Sequence, residues 1–255
     1  MSLAELAQKV EAGDPVRFLA TMAAAPAARA QLWPIYALNL ELARAPWASA
    51  EPMVAEMRLQ WWVDALEALA EGQRVAGIAP ELADLAECGL DCRLLAAAAE
   101  ARRWDCWSEP FEDQAAFDAH LDATSGHLMW AAAKLLGAPE SSEPVVRDLA
   151  WGAGLAGWLT AVPVLEARGR YPLVDGRPAA VAELAQRGLA RVTAARAARH
   201  LVPKAAAPAL FAGWQARGLL TQAARFPALV AEGGLQLSEF SRRVTLLQLA
   251  FFARW

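Results

Sequence analysis

Histidine and cysteine, on which most nucleophilic and transition-metal chemistry depends, are scarce: three of each in 255 residues. His120, His127 and His200 accompany no Gly-x-Ser-x-Gly elbow and no cysteine in a supporting setting, which excludes a recognisable nucleophile triad. Cys88, Cys92 and Cys106 are an odd count in a long chain and imply no disulfide framework. Cys88 and Cys92, four apart, can face one way on a helix, but no second Cys/His pair stands nearby with zinc spacing. Glycine-rich phosphate loops after a strand are missing, and alternating runs rich in Val, Ile and Thr are nearly absent. The start, "MSLAELAQKVEAGDP", holds acids and no apolar core, so no signal peptide is expected and the cytoplasm is the expected compartment. A net charge of −4, with aromatics not interleaved among the basic residues, argues against nucleic acid as a partner.

What is present is apolar and helix-forming. Hydrophobic residues make up 56%, above the usual share, and alanine, the residue that costs least in a helix, carries much of the excess. The fold class expected is all-α: a single multi-helix domain over 1–255. The Ala- and Arg-rich, Lys-poor composition suggests a bacterial, high-GC genome. Periodicity and breakers predict helices over about 3–12, 26–44, 51–71, 91–107, 113–137, 143–167, 178–201, 204–231 (interrupted near Gly218 and Pro227) and 237–254, with "GRYPLVDGRP" as a loop.

Charge is unevenly placed. Between Asp148 and Glu166 lie seventeen residues without a charge. That is the bottom of the transmembrane range, and Gly152, Gly154, Gly157 and Pro163 interrupt it, so a buried helix closely approached by another backbone is the better reading. Eleven acids lie between Glu81 and Asp122, whereas Leu184 to Ala231 holds none and carries Arg187, Arg191, Arg196, Arg199, Lys204, Arg217 and Arg225. The two charged regions either meet each other, are simply solvated, or steer an anionic partner or membrane surface to one side. Asp118 and Asp122 are spaced to share a helical face and form a weak candidate for Mg²⁺, the alternative being an exposed acidic face. Among eleven tryptophans, Trp61 and Trp62 stand beside Arg58 and Asp64, as core plates or as the wall of an apolar tunnel. The last helix ends in Phe251, Phe252 and Trp255, either an interfacial anchor or aromatics buried in the bundle.

Three stretches together resemble the squalene/phytoene synthase family, the head-to-head prenyltransferases: "DPVRFLATMAAAPAARAQLWPIYALNLELARAP" (14–46), "HLDATSGHLMWAAAKLLG" (120–137) and "LAWGAGLAGWLTAVPVLEARGRYPL" (149–173). The resemblance implies the isoprenoid (terpenoid) synthase fold with a central apolar cavity. It also implies a chemistry in which aspartate clusters on two facing helices hold Mg²⁺, and the metal draws diphosphate from a prenyl substrate. Mg²⁺ requires hard anionic oxygens and the departing diphosphate requires compensating cationic charge. Counted without gaps from Tyr36, the first cluster falls on Ala43, Arg44 and Trp47; counted back from Gly169-Arg170, the second falls on Ala161 and Leu165. Glu41 is the only acid close to the first.

With "SAEPMVAEMRLQWWVDAL" (49–66), the emptied positions resemble the branch of the family that includes bacterial relatives of a mitochondrial complex I assembly factor, itself a phytoene-synthase homologue. A pseudo-enzyme is therefore expected, with no catalytic residues, no metal site and no cofactor. It would act as a scaffold, a lipid-binding protein or an assembly factor for a respiratory complex. Its expected partners are an apolar lipid or isoprenoid and a membrane-associated protein complex, met at the inner face of the membrane. Two alternatives stand beside it: an active prenyltransferase using Mg²⁺ on relocated ligands (Glu41, Asp118, Asp122), and a peripheral membrane lipid-handling protein. Carried over from the family, Tyr36, Asn39 and Arg44 should face the cavity from one wall, Gly154, Trp158, Ala161 and Leu165 from the opposite one, and Ser125 and Gly126 from a third, with Arg170 at the mouth.

Overall fold

Each long helix begins where the sequence supplies a start signal. In the computed structural model, which describes residues 2–253 and 255, Ser2 and Glu5 close a capping box on α1 (Leu3–Gly13). Asp14 caps α2 (Pro15–Met22) with proline at its first position. Next come α3 (Pro26–Arg44), α4 (Pro52–Ala70) and α5 (Pro80–Glu87). Asp91 caps α6 (Cys92–Ala101) and Asp113 caps α7 (Gln114–Leu121). They are followed by α8 (His127–Leu135), the 25-residue α9 (Glu143–Ala167) and α10 (Pro178–Ala197). The C-terminal part holds α11 (Ala207–Leu210), α12 (Ala216–Arg225), α13 (Ala228–Ala231) and the Ser238-capped α14 (Glu239–Phe252). No strand occurs among the described residues, and the all-α expectation holds.

Several predicted helices are shorter or divided. The stretches holding α2 and α5 were not expected to be helical; each starts on a proline that reads as a breaker, and while Asp14 caps α2, Ala79 before α5 offers no side-chain cap. The 91–107 segment tightens into a 3₁₀ turn at Arg102–Cys106, and 178–201 ends its α-helix at Ala197. The 113–137 segment is split by a π-helical turn, Asp122–Gly126, between α7 and α8. The 204–231 segment is three short helices. Of the predicted 237–254 helix, residues 239–252 are helical and Arg254 lies outside the described residues. Cys88 and Cys92 do not share a helix: Cys88 is exposed at the end of α5, and Gly89 (φ +99°) turns the chain before buried Cys92 opens α6.

By length and composition alone, Glu140–Ala167 is apolar enough to cross a membrane. Here α9 is packed between α8, α10 and α12, burying Val146, Leu149, Trp151, Leu155 and Leu159. The expected close approach is made by Gly152: a Cβ there would lie 2.3 Å from Val192 Cγ2 and 3.2 Å from the Gly188 carbonyl oxygen of α10. The acidic and basic halves of the chain meet in part across this seam, where Arg187 of α10 pairs with Asp118 of α7. Arg187 and Arg191 also lie over the Trp151 ring, at 5.3 and 4.4 Å. The C-terminal aromatics divide: Trp255 is buried, Phe251 and Phe252 exposed.

Candidate functional site

The two walls identified from sequence are the end of α3 with its following 3₁₀ turn (Ala45–Trp47), and the C-terminal half of α9 with its exit. A cation–π clamp joins them. The guanidinium carbons of Arg168 and Arg170 stand 4.6 and 5.1 Å from the Trp47 ring centre, and Arg170 Nη2 donates to the Cys106 carbonyl at 3.4 Å. Arg170 is thus engaged with Trp47 and the chain around Cys106, and it lines neither part of the open cavity described below.

Deeper along α9 an aromatic cluster takes up the space. Trp104 stacks on Phe111 with ring centres 3.8 Å apart, and Phe111, Phe117 and His120 surround Trp158 at 5.3–5.9 Å. Trp158 Nε1 donates to the Pro172 carbonyl at 2.7 Å, which ties the loop after α9 to the cluster. His120 is buried; desolvation pushes its imidazole below the ordinary range, with Asp105, 3.6 Å from Nε2, partly opposing. Asp105 also pairs with Arg102, which donates to the Asn39 side chain.

What stays open lies along the turns of α9 that precede Trp158. A cavity of about 170 Å³ sits beneath Tyr36, Ser125 and Gly154, floored by Leu128, Met129 and Ala209. It shares Arg17, Ala153, Gly157 and Ala212 as walls with a wider opening of about 400 Å³ bounded by α12 and α14. The Tyr36 hydroxyl donates to the Ala209 carbonyl at 3.4 Å, and its pKa is pushed up to about 12 by burial, against the nearby Arg17. Arg17 rests 5.1 Å from the Tyr36 ring centre.

The carried-over residues therefore separate. Tyr36, Ser125 and Gly154 meet around this cavity. Asn39 is buried against Arg102, Trp158 belongs to the aromatic cluster, and Ala161 and Leu165 are half-buried on the turns of α9 beyond it. Two expectations need correction. Arg44 is exposed beside Gly13, since α3 is ending there and the chain has turned away from the cavity. Gly126 faces the Asp122–Arg147 pair, because the π turn rotates it off the Ser125 side; a Cβ there would lie 2.6 Å from Asp122 Oδ1. Arg17 and Gln215 line the opening without having been singled out; Arg17 was legible as the basic residue one turn after the Asp14-Pro15 start, Gln215 from nothing local.

The acids do not converge. Glu41, about 140° around α3 from Tyr36, lines a different groove of about 510 Å³ with Leu6, Pro34, Trp61 and Trp62. Its carboxylate is 2.6 Å from Lys9 and 3.0 Å from Arg58. Desolvation, the largest influence, raises the Glu41 pKa, but these two cations together hold it below the ordinary carboxylate value. Asp118 and Asp122 form no shared exposed face: one reaches Arg187 on α10, the other Arg147 on α9 at 2.9 Å. Among the described residues no group of three or more His, Cys, Asp or Glu is placed to hold a metal. Among the described residues the oxygens lining the open cavity offer Mg²⁺ one carboxylate: Tyr36, Ser125, Thr160, Gln215 and Gln236 are neutral, and Asp14 is paired with Arg17 at 3.2 Å. That donor set does not fit the ion.

An all-helical shell around a small apolar cavity, with α3 and α9 as facing walls, defines an isoprenoid-synthase bundle. The sequence profile of the family described as squalene/phytoene synthase matches residues 10–248, and the chain belongs to that family. Among solved structures, the crystal structure of a dehydrosqualene synthase in complex with ligand superposes with a TM-score of 0.80. It covers 97% of this chain and 94% of its own at 11% identity, so the likeness shows the fold alone. No curated protein matches by sequence.

Proposed function

We propose that this chain is a non-catalytic member of its family, a helical shell that keeps a lipid-sized cavity without the means to ionise prenyl diphosphates. One observation carries the reading. Along the correspondence that the family resemblance implies, the two acidic clusters fall on Ala43, Arg44 and Trp47 on one wall and on Ala161 and Leu165 on the other, and Arg168 and Arg170 lie over Trp47. Cations at that junction oppose a divalent cation by simple Coulomb repulsion. A relocated metal site would need Glu41, Asp118 and Asp122 together, yet each is already held by a basic side chain and they face different helices. Incubation with labelled farnesyl diphosphate and Mg²⁺ or Mn²⁺ tests the reading: no condensation product is expected, and turnover under either metal overturns it.

The role that fits is binding of an apolar or isoprenoid-like molecule and support of a membrane-associated complex, at the inner membrane face, as the branch resemblance suggests. Support comes from two outward apolar stripes at helical spacing, Met53, Met57 and Trp61 on α4, and Phe240, Leu247 and Phe251 on α14 beside Arg243. Flotation with anionic liposomes should carry the wild type upward and leave Phe251→Ser behind; identical flotation of both removes α14 from the account.

A further inference from the structure

The opening below α12 and α14 contains two buried N–H donors with no acceptor, Arg17 Nε and Gln215 Nε2. Such groups are uncommon because an unpaired buried donor forfeits its hydration. Arg17 is held in place rather than loose: its Nη1 meets Asp14 at 3.2 Å and its plane lies against Tyr36. These contacts leave its Nε–H unused. Arg242 of α14 lines the same opening. Among the described residues Asp14 is the one acid lining it and is already engaged, and most of the remaining wall is apolar, including Val16, Ala153, Leu219 and Leu235. Inward, past Gly157, every lining residue except Arg17, Tyr36 and Ser125 is apolar.

We infer that this cavity holds a single-chain amphiphile with an anionic head, a carboxylate or a phosphate, and holds it without a metal. The head accepts hydrogen bonds from Arg17 Nε and Gln215 Nε2, and the chain runs inward toward Leu128 and Met129. Charge-assisted bonds of this kind are stronger than neutral ones, and an anion engaging both donors removes the cost of leaving them unpaired. The chain is excluded from water by the inner pocket. The inference rests on the metal-free reading above and adds the class of ligand to it.

The full-length protein in EDTA is titrated calorimetrically, below the micellar range, with dodecyl phosphate, dodecanoate, dodecanol and inorganic phosphate. One-to-one binding of an anionic amphiphile, at least tenfold tighter than dodecanol or inorganic phosphate, is expected, and the tighter of the two names the head. Arg17→Gln should weaken that ligand at least tenfold and Gln215→Leu several-fold. Ala153→Leu, which fills the passage while leaving Arg17 in place, should abolish binding and keeps the test valid if Arg17→Gln folds poorly. Absence of one-to-one binding by either anion, dodecanol binding equally well, or unchanged affinity in Ala153→Leu overturns the inference. Repeating the titration with farnesyl diphosphate and Mg²⁺ separates the two levels. Metal-dependent binding there sinks the metal-free reading, whereas failure of the alkyl anions with no effect of Mg²⁺ sinks only this one.

Discussion

The guanidinium carbon of Arg168 lies 4.6 Å from the centre of the Trp47 ring, and through this contact the chain leaving α9 rests on the chain leaving α3. Arg170 reaches the same ring at 5.1 Å. A ring facing two cations is an attraction that needs no metal, and it ties the end of α3 to the exit of α9.

Removing the ring should loosen that junction. Cation–π pairs at a half-exposed ring contribute about 0.5–1 kcal/mol each, so Trp47→Ala should lower the unfolding free energy by about 1–2 kcal/mol. Amide exchange over 168–173 should quicken, because only the Trp158–Pro172 and Arg170–Cys106 hydrogen bonds of those described above would then hold that loop. Chemical denaturation and hydrogen exchange read both effects; an unchanged exchange pattern would show that the clamp holds nothing.

The glycines of α9 differ in what they do. At Gly152 a methyl group would collide with Val192 and press on the Gly188 carbonyl, so Gly152→Ala should cost about 1–3 kcal/mol through separation of α9 from α10. At Gly157 a Cβ meets nothing within 4 Å, and Gly157→Ala should be neutral or stabilise by up to about 1 kcal/mol. Thermal unfolding of the two variants side by side checks the contrast.

His120 should give the fold a pH dependence. Its pKa is lowered from 6.5 by burial, so the unfolded chain takes up a proton that the folded chain refuses. The contribution is fully present above pH 6.5 and is lost as pH falls from there through the folded value. Denaturation at a series of pH values should therefore show stability falling on acidification below 6.5. His120→Phe should remove part of that slope, and the part due to His127, lowered mainly by desolvation and also by Arg147, should remain.

Much of the scaffold was legible because strong local signals and global packing agree. The boundaries of α3, α4 and α9 follow from apolar periodicity between proline starts and glycine or polar exits, and the order of three segments carried the family. The short helices α2 and α5 were hidden because a proline marks both an end and a beginning; Asp14 supplies the cap that decides it for α2, and Ala79 supplies none for α5. The π turn at Asp122–Gly126 could not be read from i,i+4 spacing, and it brings Gly126 against the Asp122–Arg147 pair. The site was legible at Tyr36, Ser125 and Gly154 and not at Gln215, whose place depends on how α12 docks against α9. The aromatic filling around Trp158 is likewise a tertiary outcome, since Trp104 and Phe111 stack across a loop that has no period to read.

The central claim is electrostatic, and isothermal titration of the intact chain with farnesyl diphosphate, in Mg²⁺ and again in EDTA, tests it most directly. The account predicts that chelation leaves the affinity unchanged within a factor of about two. Micromolar binding that appears only with Mg²⁺ would contradict it.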